Sequence, residues 1–396
     1  MNYDCTEYDS PNCPKGQQIE KKINEEELNV VMIGCWGVYC WDGPVDINYY
    51  EPPKKGKNPK MEKITEIYGQ KSVIQGIENY AIKKQEKDKK LSAVFLAGDN
   101  VYSFNIPKPE LLKMISEGVY PDKKQYKSDP RLSGQVIEKQ LSQGFTNCLN
   151  KIPADDFFLT IGNHDVQNCH DLNTQLNYKY TDDNYKLIGL YYNVVYNLNG
   201  FKVNFILIDT NMFSEDFTCD QKTPYTDKQK QNQKQWVIDT LKANNCEFNI
   251  IIGHVPYKAH KHKVDKERIF NEDLDDLFKR IEREGCPKVQ VYMCADEHNQ
   301  QFLHDPDSRL SLVIAGSGGT ALDTHIYPME YTDIAVYHQS VFGFVSFEFN
   351  REHLVVKYFT SDPVTNKKDT LGCRVIINRE GVLLKKEIIE RESQRI

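Results

Sequence analysis

The chain has 396 residues, of which 39% are hydrophobic and 27% are charged, and its formal net charge is −7. This hydrophobic content suffices for a sizeable core and argues against a disordered chain. The negative charge gives no electrostatic reason to expect a nucleic-acid partner, and no stretch approaches the roughly 20 apolar residues of a membrane span.

The first 28 residues are polar and predict an N-terminal extension outside the core. They contain no apolar run of the kind found in secretory signals, so a cytoplasmic location is expected. The eleven cysteines are an odd number with irregular spacing. Reduced thiols are therefore expected in such a compartment.

Short apolar runs rich in β-branched residues recur along the chain and predict strands that are buried on both faces. These runs span residues 30–33, 93–97, 157–161, 203–208, 248–252, 289–293 and 312–315. The runs 342–349, 354–359 and 373–377 indicate a closing antiparallel group near the C-terminus.

Helical patterns lie between several of these strands. Residues 61–87 place apolar side chains near one helical face, and Thr226 with Gln229 has the form of a capping box. Asn271 is suited to cap a further helix that Gly285 ends. Strands that alternate with helices predict an α/β fold.

Two segments look like insertions. Residues 42–60 are rich in Pro, Lys and Tyr, and residues 103–135 carry four prolines among charged residues. Both follow predicted strand ends, so both are expected on the rim above the sheet edge. The expected organisation is an extension at 1–28, one large domain at 29–378 and a charged tail at 379–396.

Five predicted strands end in polar side chains that are able to bind metal. These ends carry Gly34 and Cys35, Gly98 to Tyr102, Gly162 to Asp165, Gly253 to Pro256, and Ala295 to His298. One such end alone is typical of a turn. Because function collects at the C-terminal ends of strands in α/β sheets, the whole series predicts a shared site.

The series resembles the small, tartrate-resistant purple acid phosphatases, which belong to the calcineurin-like metallophosphoesterases. The shared motifs are Gly-x-Trp-Gly at 34–37, Asp-Asn-x-Tyr at 99–102, Asn-His-Asp at 163–165, His-x-Pro at 254–256, Asp-x-His-Asn at 296–299 and Ala-Gly-Ser-Gly-Gly at 315–319. The resemblance covers residues 29–378 and implies a four-layer α/β/β/α sandwich.

The resemblance implies a dinuclear metal centre that binds a phosphate ester. Asp99, Tyr102 and His298 would hold one metal, ferric iron in the family, together with the residue at position 35. Asp99, Asn163 and His254 would hold zinc, iron or manganese, together with the residue at position 296. His164 would contact the substrate phosphate or protonate the leaving group.

The chain departs from the family at both remaining positions. Cys35 stands where the family has Asp, and Asp296 stands where it has His, with Ala295 in place of the preceding Gly. A thiolate suits zinc better than ferric iron, whereas a carboxylate suits magnesium or manganese. We therefore expect that the centre holds either no metal or metal at partial occupancy. An active form would hold a dinuclear centre of iron with zinc, iron or manganese.

Several interpretations stay open for these side chains. The five matching ligand residues are either a working centre or a hydrogen-bonded remnant of one. Cys35 is a metal ligand, a small buried thiol, or a redox partner of Cys40. His260 and His262 belong to a solvated basic loop or contact phosphate.

The favoured function is a structural or protein-interaction subunit, a pseudoenzyme related to purple acid phosphatases with lost or reduced activity. Protein partners are expected at the rim insertions and the N-terminal extension. The alternative is an active hydrolase, a metal-dependent phosphomonoesterase with altered metal preference. A third hypothesis is phosphate binding without turnover through His164 and His254.

Overall fold

The fold is seen in a computed structural model of the 396-residue chain. The structure describes residues 12–38, 42–51, 60–102, 137–166, 169–178, 183–214, 225–260, 269–323, 331, 333–363 and 369–389.

Two eight-stranded mixed sheets form the centre of the molecule. The first sheet has the order β20-β19-β18-β17-β2-β5-β6-β7. Its strands are β2 (Leu28–Ile33), β5 (Leu91–Ala97), β6 (Ala154–Thr160), β7 (Tyr185–Lys186), β17 (Phe342–Phe349), β18 (His353–Ser361), β19 (Thr370–Asn378) and β20 (Leu383–Ile388).

The second sheet has the order β1-β8-β9-β10-β13-β15-β14-β16. Its strands are β1 (Gln17–Lys22), β8 (Tyr192–Leu198), β9 (Phe201–Leu207), β10 (Phe248–Ile252), β13 (Val291–Cys294), β14 (Gln300–Asp305), β15 (Leu310–Ala315) and β16 (Ala335–Gln339). Two small ribbons complete the strands, β3 (Asp42–Glu51) with β4 (Lys60–Gly69) and β11 (Lys258–Ala259) with β12 (Ile269–Phe270).

Four α-helices have both ends in the described residues, and residues 137–140 are also α-helical. The four helices are α1 (Gln70–Gln85), α2 (Cys169–Leu176), α3 (Asp227–Ala243) and α4 (Glu272–Arg283). One π-helical turn spans Leu141–Thr146, and 3₁₀ turns span Leu149–Lys151, His164–Val166 and Asn211–Phe213.

Three buried apolar clusters show how these elements are layered. One cluster lies between the sheets and joins residues of both, such as Phe95 and Phe205. A second joins the outer face of the first sheet to α1 and α2, and a third joins the outer face of the second sheet to α3 and α4. The predicted four-layer α/β/β/α sandwich is therefore confirmed.

Most of the predicted strands and caps are present. Each of the seven apolar runs falls within or overlaps an observed strand, and 342–349, 354–359 and 373–377 fall in the antiparallel strands β17, β18 and β19. Thr226 and Gln229 form the predicted capping box of α3. The Asn271 side chain accepts a hydrogen bond from the Leu274 backbone at the start of α4, and Gly285 follows the end of that helix at φ +60°.

The prediction of one helix over residues 61–87 is wrong in its first third. Residues 60–69 form β4, which pairs antiparallel with β3, and the helix begins only at Gln70. Short apolar runs have no decisive period, and pairing with a distant strand overrides local preference. Gly69 lies at the change from strand to helix. A side chain does not fit there, because a Cβ would lie 2.5 Å from the Phe342 ring.

Parts of the predicted extension and tail are attached to the domain. In the extension, β1 pairs with β8 and Cys13 is buried in the core. In the tail, β20 pairs with β19. The domain boundaries at 28 and 378 stay predictions.

The sequence led us to expect that all cysteines are reduced, and this expectation is wrong for two of them. Cys13 and Cys148 are both disulfide-bonded. Cys35, Cys246, Cys286, Cys294 and Cys373 are free. Across the described residues, no helix is both long and apolar enough to cross a membrane.

Candidate metal centre at the strand ends

The candidate site lies where parallel strands of both sheets end. In the first sheet β2, β5 and β6 are parallel neighbours, and in the second sheet β9, β10 and β13 are. Their C-terminal ends therefore meet at one edge of the sandwich. All eight predicted site residues follow these ends.

Three of these residues have an unusual backbone conformation. Cys35, Asp99 and Asp296 have φ angles of 53°, 53° and 64°, in the left-handed region. Only two other non-glycine residues of the described chain, Asp88 and Arg309, have positive φ. Such conformations are costly and concentrate at functional sites, where they turn a side chain out of the strand direction.

Close approach between strand ends explains two of the glycines at the site, Gly34 before Cys35 and Gly162 before Asn163. A Cβ at Gly34 would lie 2.2 Å from the Cβ of Ala295, and one at Gly162 would lie 2.2 Å from the backbone nitrogen of Asp99. The strand ends can therefore meet only because these positions have no side chain.

The first group of donors consists of Cys35, Asp99, Tyr102 and His298. Ligand atoms of Cys35, Asp99 and His298 all lie within 4.8 Å of one another. The Tyr102 hydroxyl lies 3.3 Å from His298 Nε2, and burial together with the nearby Asp99 and Cys35 raises its pKa well above the ordinary value. We call these four residues the thiol set.

The second group shares Asp99 and adds Asn163, His254 and Asp296. His254 Nε2 lies 3.0 Å from Asn163 Oδ1, 3.3 Å from Asp99 Oδ1 and 3.5 Å from Asp296 Oδ1. We call these four residues the oxygen set. Asp296 is partly open, with 29% of its side chain exposed.

Both histidines are fixed by backbone carbonyls. His254 Nδ1 donates to the Ala97 carbonyl at 2.7 Å, and His298 Nδ1 donates to the Ala321 carbonyl at 2.8 Å. Each Nε2 atom consequently faces the other donors. This is the usual arrangement of a metal-ligating histidine, whose second nitrogen is held by a hydrogen bond.

The charges of the site call for a cation. Burial lowers the pKa of His254, but Asp99 and Asp296 outweigh that effect and raise the pKa to about 10. Burial, with Asp99 and Asp296, raises the pKa of the Cys35 thiol well above its ordinary value. A proton or a metal ion is needed among these carboxylates, and binding a metal at Cys35 must displace the thiol proton.

Both donor sets fit metal ions. Tetrahedral zinc with bonds of about 2.0–2.3 Å places its ligand atoms roughly 3.3–3.6 Å apart. The Tyr102 hydroxyl oxygen and His298 Nε2 have such a separation, 3.3 Å. The contacts of His254 to three oxygens have the spacing of ligands on a harder divalent ion. The assignment of these residues as ligands stays a prediction.

His164 lies beside the thiol set. Its ring stands against Tyr102 with centroids 4.4 Å apart, and its backbone N–H donates to Asp99 Oδ1 at 3.0 Å. Burial lowers the pKa of His164. It is therefore placed at the edge of the site as a neutral imidazole, which fits the predicted contact with a phosphate.

Two motif residues have a supporting role that the sequence did not reveal. The buried Asp165 carboxylate accepts backbone hydrogen bonds from Gly162, Asn100 and Val101. The Asn100 side chain in turn accepts a bond from the Trp36 indole and donates to Asp165. These bonds join the ends of β2, β5 and β6.

A sixth strand end was missed in the sequence. Thr210, which follows β9, accepts hydrogen bonds from the backbone N–H groups of His254 and Val255 at 3.0 and 2.9 Å. The neighbouring Asn211 side chain donates to the carbonyls of Ile161 and Gly162. The polar run Asp209-Thr210-Asn211 directly after a predicted strand was the available signal.

The prediction of a solvated loop at His260 is wrong. His260 is buried, its backbone exchanges two hydrogen bonds with Gln301, and its ring lies 5.1 Å from that of His338. His262, Cys40 and the whole insertion at 103–135 lie outside the described residues.

The two facing sheets have the architecture of the metallophosphoesterase fold. The chain belongs to the calcineurin-like phosphoesterase family, whose model matches residues 30–300, more than half of the chain. No curated protein sequence was found to match it.

Solved structures share the fold at low sequence identity. GAP50, the anchor in the inner membrane complex of Plasmodium, is 14% identical with a TM-score of 0.55, covering 94% of this chain and 91% of that one. A purple acid phosphatase from yellow lupin (Lupinus luteus) seeds is 15% identical with a TM-score of 0.51, covering 91% and 55%. PhoD is 11% identical with a TM-score of 0.57, covering 97% and 74%.

Proposed function

We propose that this protein is a structural or protein-interaction subunit that has kept the metallophosphoesterase scaffold and has lost most or all phosphatase activity. The observation that carries the proposal is the position of the two departures. Cys35 lies in the thiol set and Asp296 lies in the oxygen set, so each half of the centre has an altered donor. A complete dinuclear centre is not expected.

The loss of activity follows from the chemistry of a two-metal site. Bound metal ions in such sites generate a nucleophile and neutralise the phosphate oxygens, and both ions are needed. Cys35 supplies a soft donor where the family has a hard one, and Asp296 adds negative charge where the family has a neutral ring. The changed charge weakens attraction for an anionic ester.

Protein partners are proposed at the rim next to the site. The hairpin of β3 and β4 begins seven positions after Cys35, and the insertion 103–135 begins directly after Tyr102. Insertions of this size around an altered site suit a surface recruited for contacts. GAP50, which shares the fold, is called an anchor, and that role is consistent with the proposal.

An oxidising compartment is part of the proposal, in place of the cytoplasmic location expected from the sequence. Disulfides at Cys13 and Cys148 persist only where thiols are oxidised. Mass spectrometry after alkylation without reduction tests this. Alkylated Cys13 and Cys148 in protein from its native cells would contradict it.

The alternative is an active phosphomonoesterase with changed metal preference. It is favoured by the orientation of His254 and His298, whose Nε2 atoms both face the shared Asp99. In that case His164 would contact the ester. Phosphate binding without turnover through His164 and His254 is a third outcome of the same assay.

Restoring the family residues tests the proposed loss. The double variant Cys35→Asp, Asp296→His should gain aryl phosphate turnover by about 10²–10⁴-fold, since each disturbed metal contact typically costs 10–100-fold. It should also turn purple with ferric iron, through Tyr102. A folded double variant that stays colourless and metal-free would show that the ligand assignment is wrong.

A further inference from the structure

The thiol set combines four donors that zinc accepts. It offers sulfur from Cys35, oxygen from Asp99 and Tyr102, and nitrogen from His298. Cys35, Asp99 and Tyr102 are each less than 5% exposed. Structural zinc sites are typically closed and four-coordinate, and this set offers four donors of which three are buried and His298 is partly buried.

The position of Cys35 is determined by the fold. Its backbone N–H donates to the Gly98 carbonyl, its carbonyl accepts from Thr320, and its φ of 53° turns the side chain towards Asp99 and Tyr102. A thiol that merely fills space needs no such costly conformation. The free state of Cys35 leaves its sulfur available.

We propose that Cys35, Asp99, Tyr102 and His298 form a thiolate site for one divalent zinc ion and disfavour the ferric iron of purple phosphatases. Soft thiolate ligands select zinc, whereas carboxylates and phenolates alone suit harder ions. Binding breaks the S–H bond of Cys35 and the O–H bond of Tyr102, releases both protons to solvent and uses the two freed electron pairs for the metal bonds, with no change of oxidation state. The inference goes beyond the proposed function, because a zinc ion is held here whether or not esters are hydrolysed.

Cobalt(II) is a visible substitute for zinc and reports sulfur ligation directly. The full chain is stripped with a chelator and titrated with Co²⁺ while its absorption is recorded. One equivalent should bind with a near-ultraviolet sulfur-to-cobalt charge-transfer band and strong visible bands of tetrahedral cobalt. Added Zn²⁺ should abolish both. Tight cobalt binding without the sulfur band, or no binding at all, overturns the proposal.

Variants identify the cysteine whose sulfur gives the charge-transfer band. Cys35→Ser should lose the sulfur band and bind Co²⁺ at least about 100-fold more weakly, since even outer partners of a metal site contribute 10–100-fold. Cys246→Ser, which changes another buried free cysteine, and Asp296→Asn, which changes the oxygen set, should keep the band. A band that survives Cys35→Ser overturns the assignment. If Cys35→Ser does not fold, Cys35→Asp replaces it, since it keeps an oxygen donor and must also lose the band.

The same samples separate this inference from the proposed function. Aryl phosphate turnover by the zinc-loaded native chain would contradict the proposed loss of activity and leave the zinc site standing. A missing sulfur band without turnover would contradict only the zinc site.

Discussion

Two clusters of buried charge, one on the outer face of the first sheet and one at the strand ends of both sheets, are built differently. On the outer face, Glu348 of β17 pairs with Lys84 at 2.8 Å and Lys357 at 2.6 Å, and Tyr80 donates to it at 3.0 Å. At the strand ends, His254 Nε2 lies 3.3 Å from Asp99 Oδ1 and 3.5 Å from Asp296 Oδ1.

The difference between the clusters shows what each is for. The Glu348 cluster supplies its own counter-charges: burial raises the pKa of Glu348, but the two lysines outweigh it and lower the pKa to about 2. In the strand-end cluster, Asp99 and Asp296 outweigh burial and raise the pKa of His254, and burial together with the same two carboxylates raises the pKa of Cys35. The Glu348 cluster therefore stabilises the fold, whereas buried groups with perturbed pKa values at strand ends mark a candidate binding site.

The largest expected effect on stability comes from breaking the Glu348 cluster. Glu348→Ala leaves Lys84 without its main partner in a mostly buried position, and the free energy of unfolding should fall by about 3 kcal/mol. Denaturant unfolding measures it, with the exposed Glu352→Ala as the control, which should change stability by less than about 0.5 kcal/mol. Equal losses in the two variants would show that the cluster is not what stabilises this face.

Acid should weaken the same cluster. The pKa of Glu348 is lowered from 4.5 to about 2 in the folded chain, so the unfolded chain binds the proton more readily. The stabilisation is therefore complete above pH 4.5 and is lost as the pH falls towards 2. Over this range, the free energy of unfolding should fall more steeply with decreasing pH for the native chain than for Glu348→Gln. Identical slopes in the two proteins would contradict the account.

The packing of the strand ends predicts an intermediate effect. Gly34→Ala would place a methyl group against Ala295 and should destabilise the chain by about 2 kcal/mol, as overpacking usually does. Adding Ala295→Gly removes the nearer obstacle and should restore part of the loss. Thermal unfolding of both variants measures the coupling, and purely additive losses would show that the two strand ends do not touch there.

The smallest effect is expected at Asp296 in the strand-end cluster. In chelator-treated protein, Asp296→Asn keeps the shape, loses a contact to His254 and relieves repulsion with Asp99, so stability should change by less than about 0.5 kcal/mol. A loss as large as that of Glu348→Ala would mean that the strand-end cluster is also a structural ion pair. Denaturant unfolding in the presence of chelator makes the comparison.

The buried strands and their polar ends were predictable because both are local patterns. Continuous apolar runs predicted β2, β5 and β6, and the residues that follow them predicted which side chains meet. The β3–β4 ribbon was not predictable, because it depends on pairing between distant segments of ambiguous period. Thr210 was missed because its role is to hold the backbone of a residue 44 positions away.

Turnover of an aryl phosphate by the native chain, with its metal content measured in the same sample, tests the central claim most directly. The account predicts at most one metal ion per chain, bound through Cys35, and turnover no greater than that of a Cys35→Ser, Asp296→Asn control. Two tightly bound metal ions with turnover that disappears in the control would contradict it and establish an active phosphoesterase.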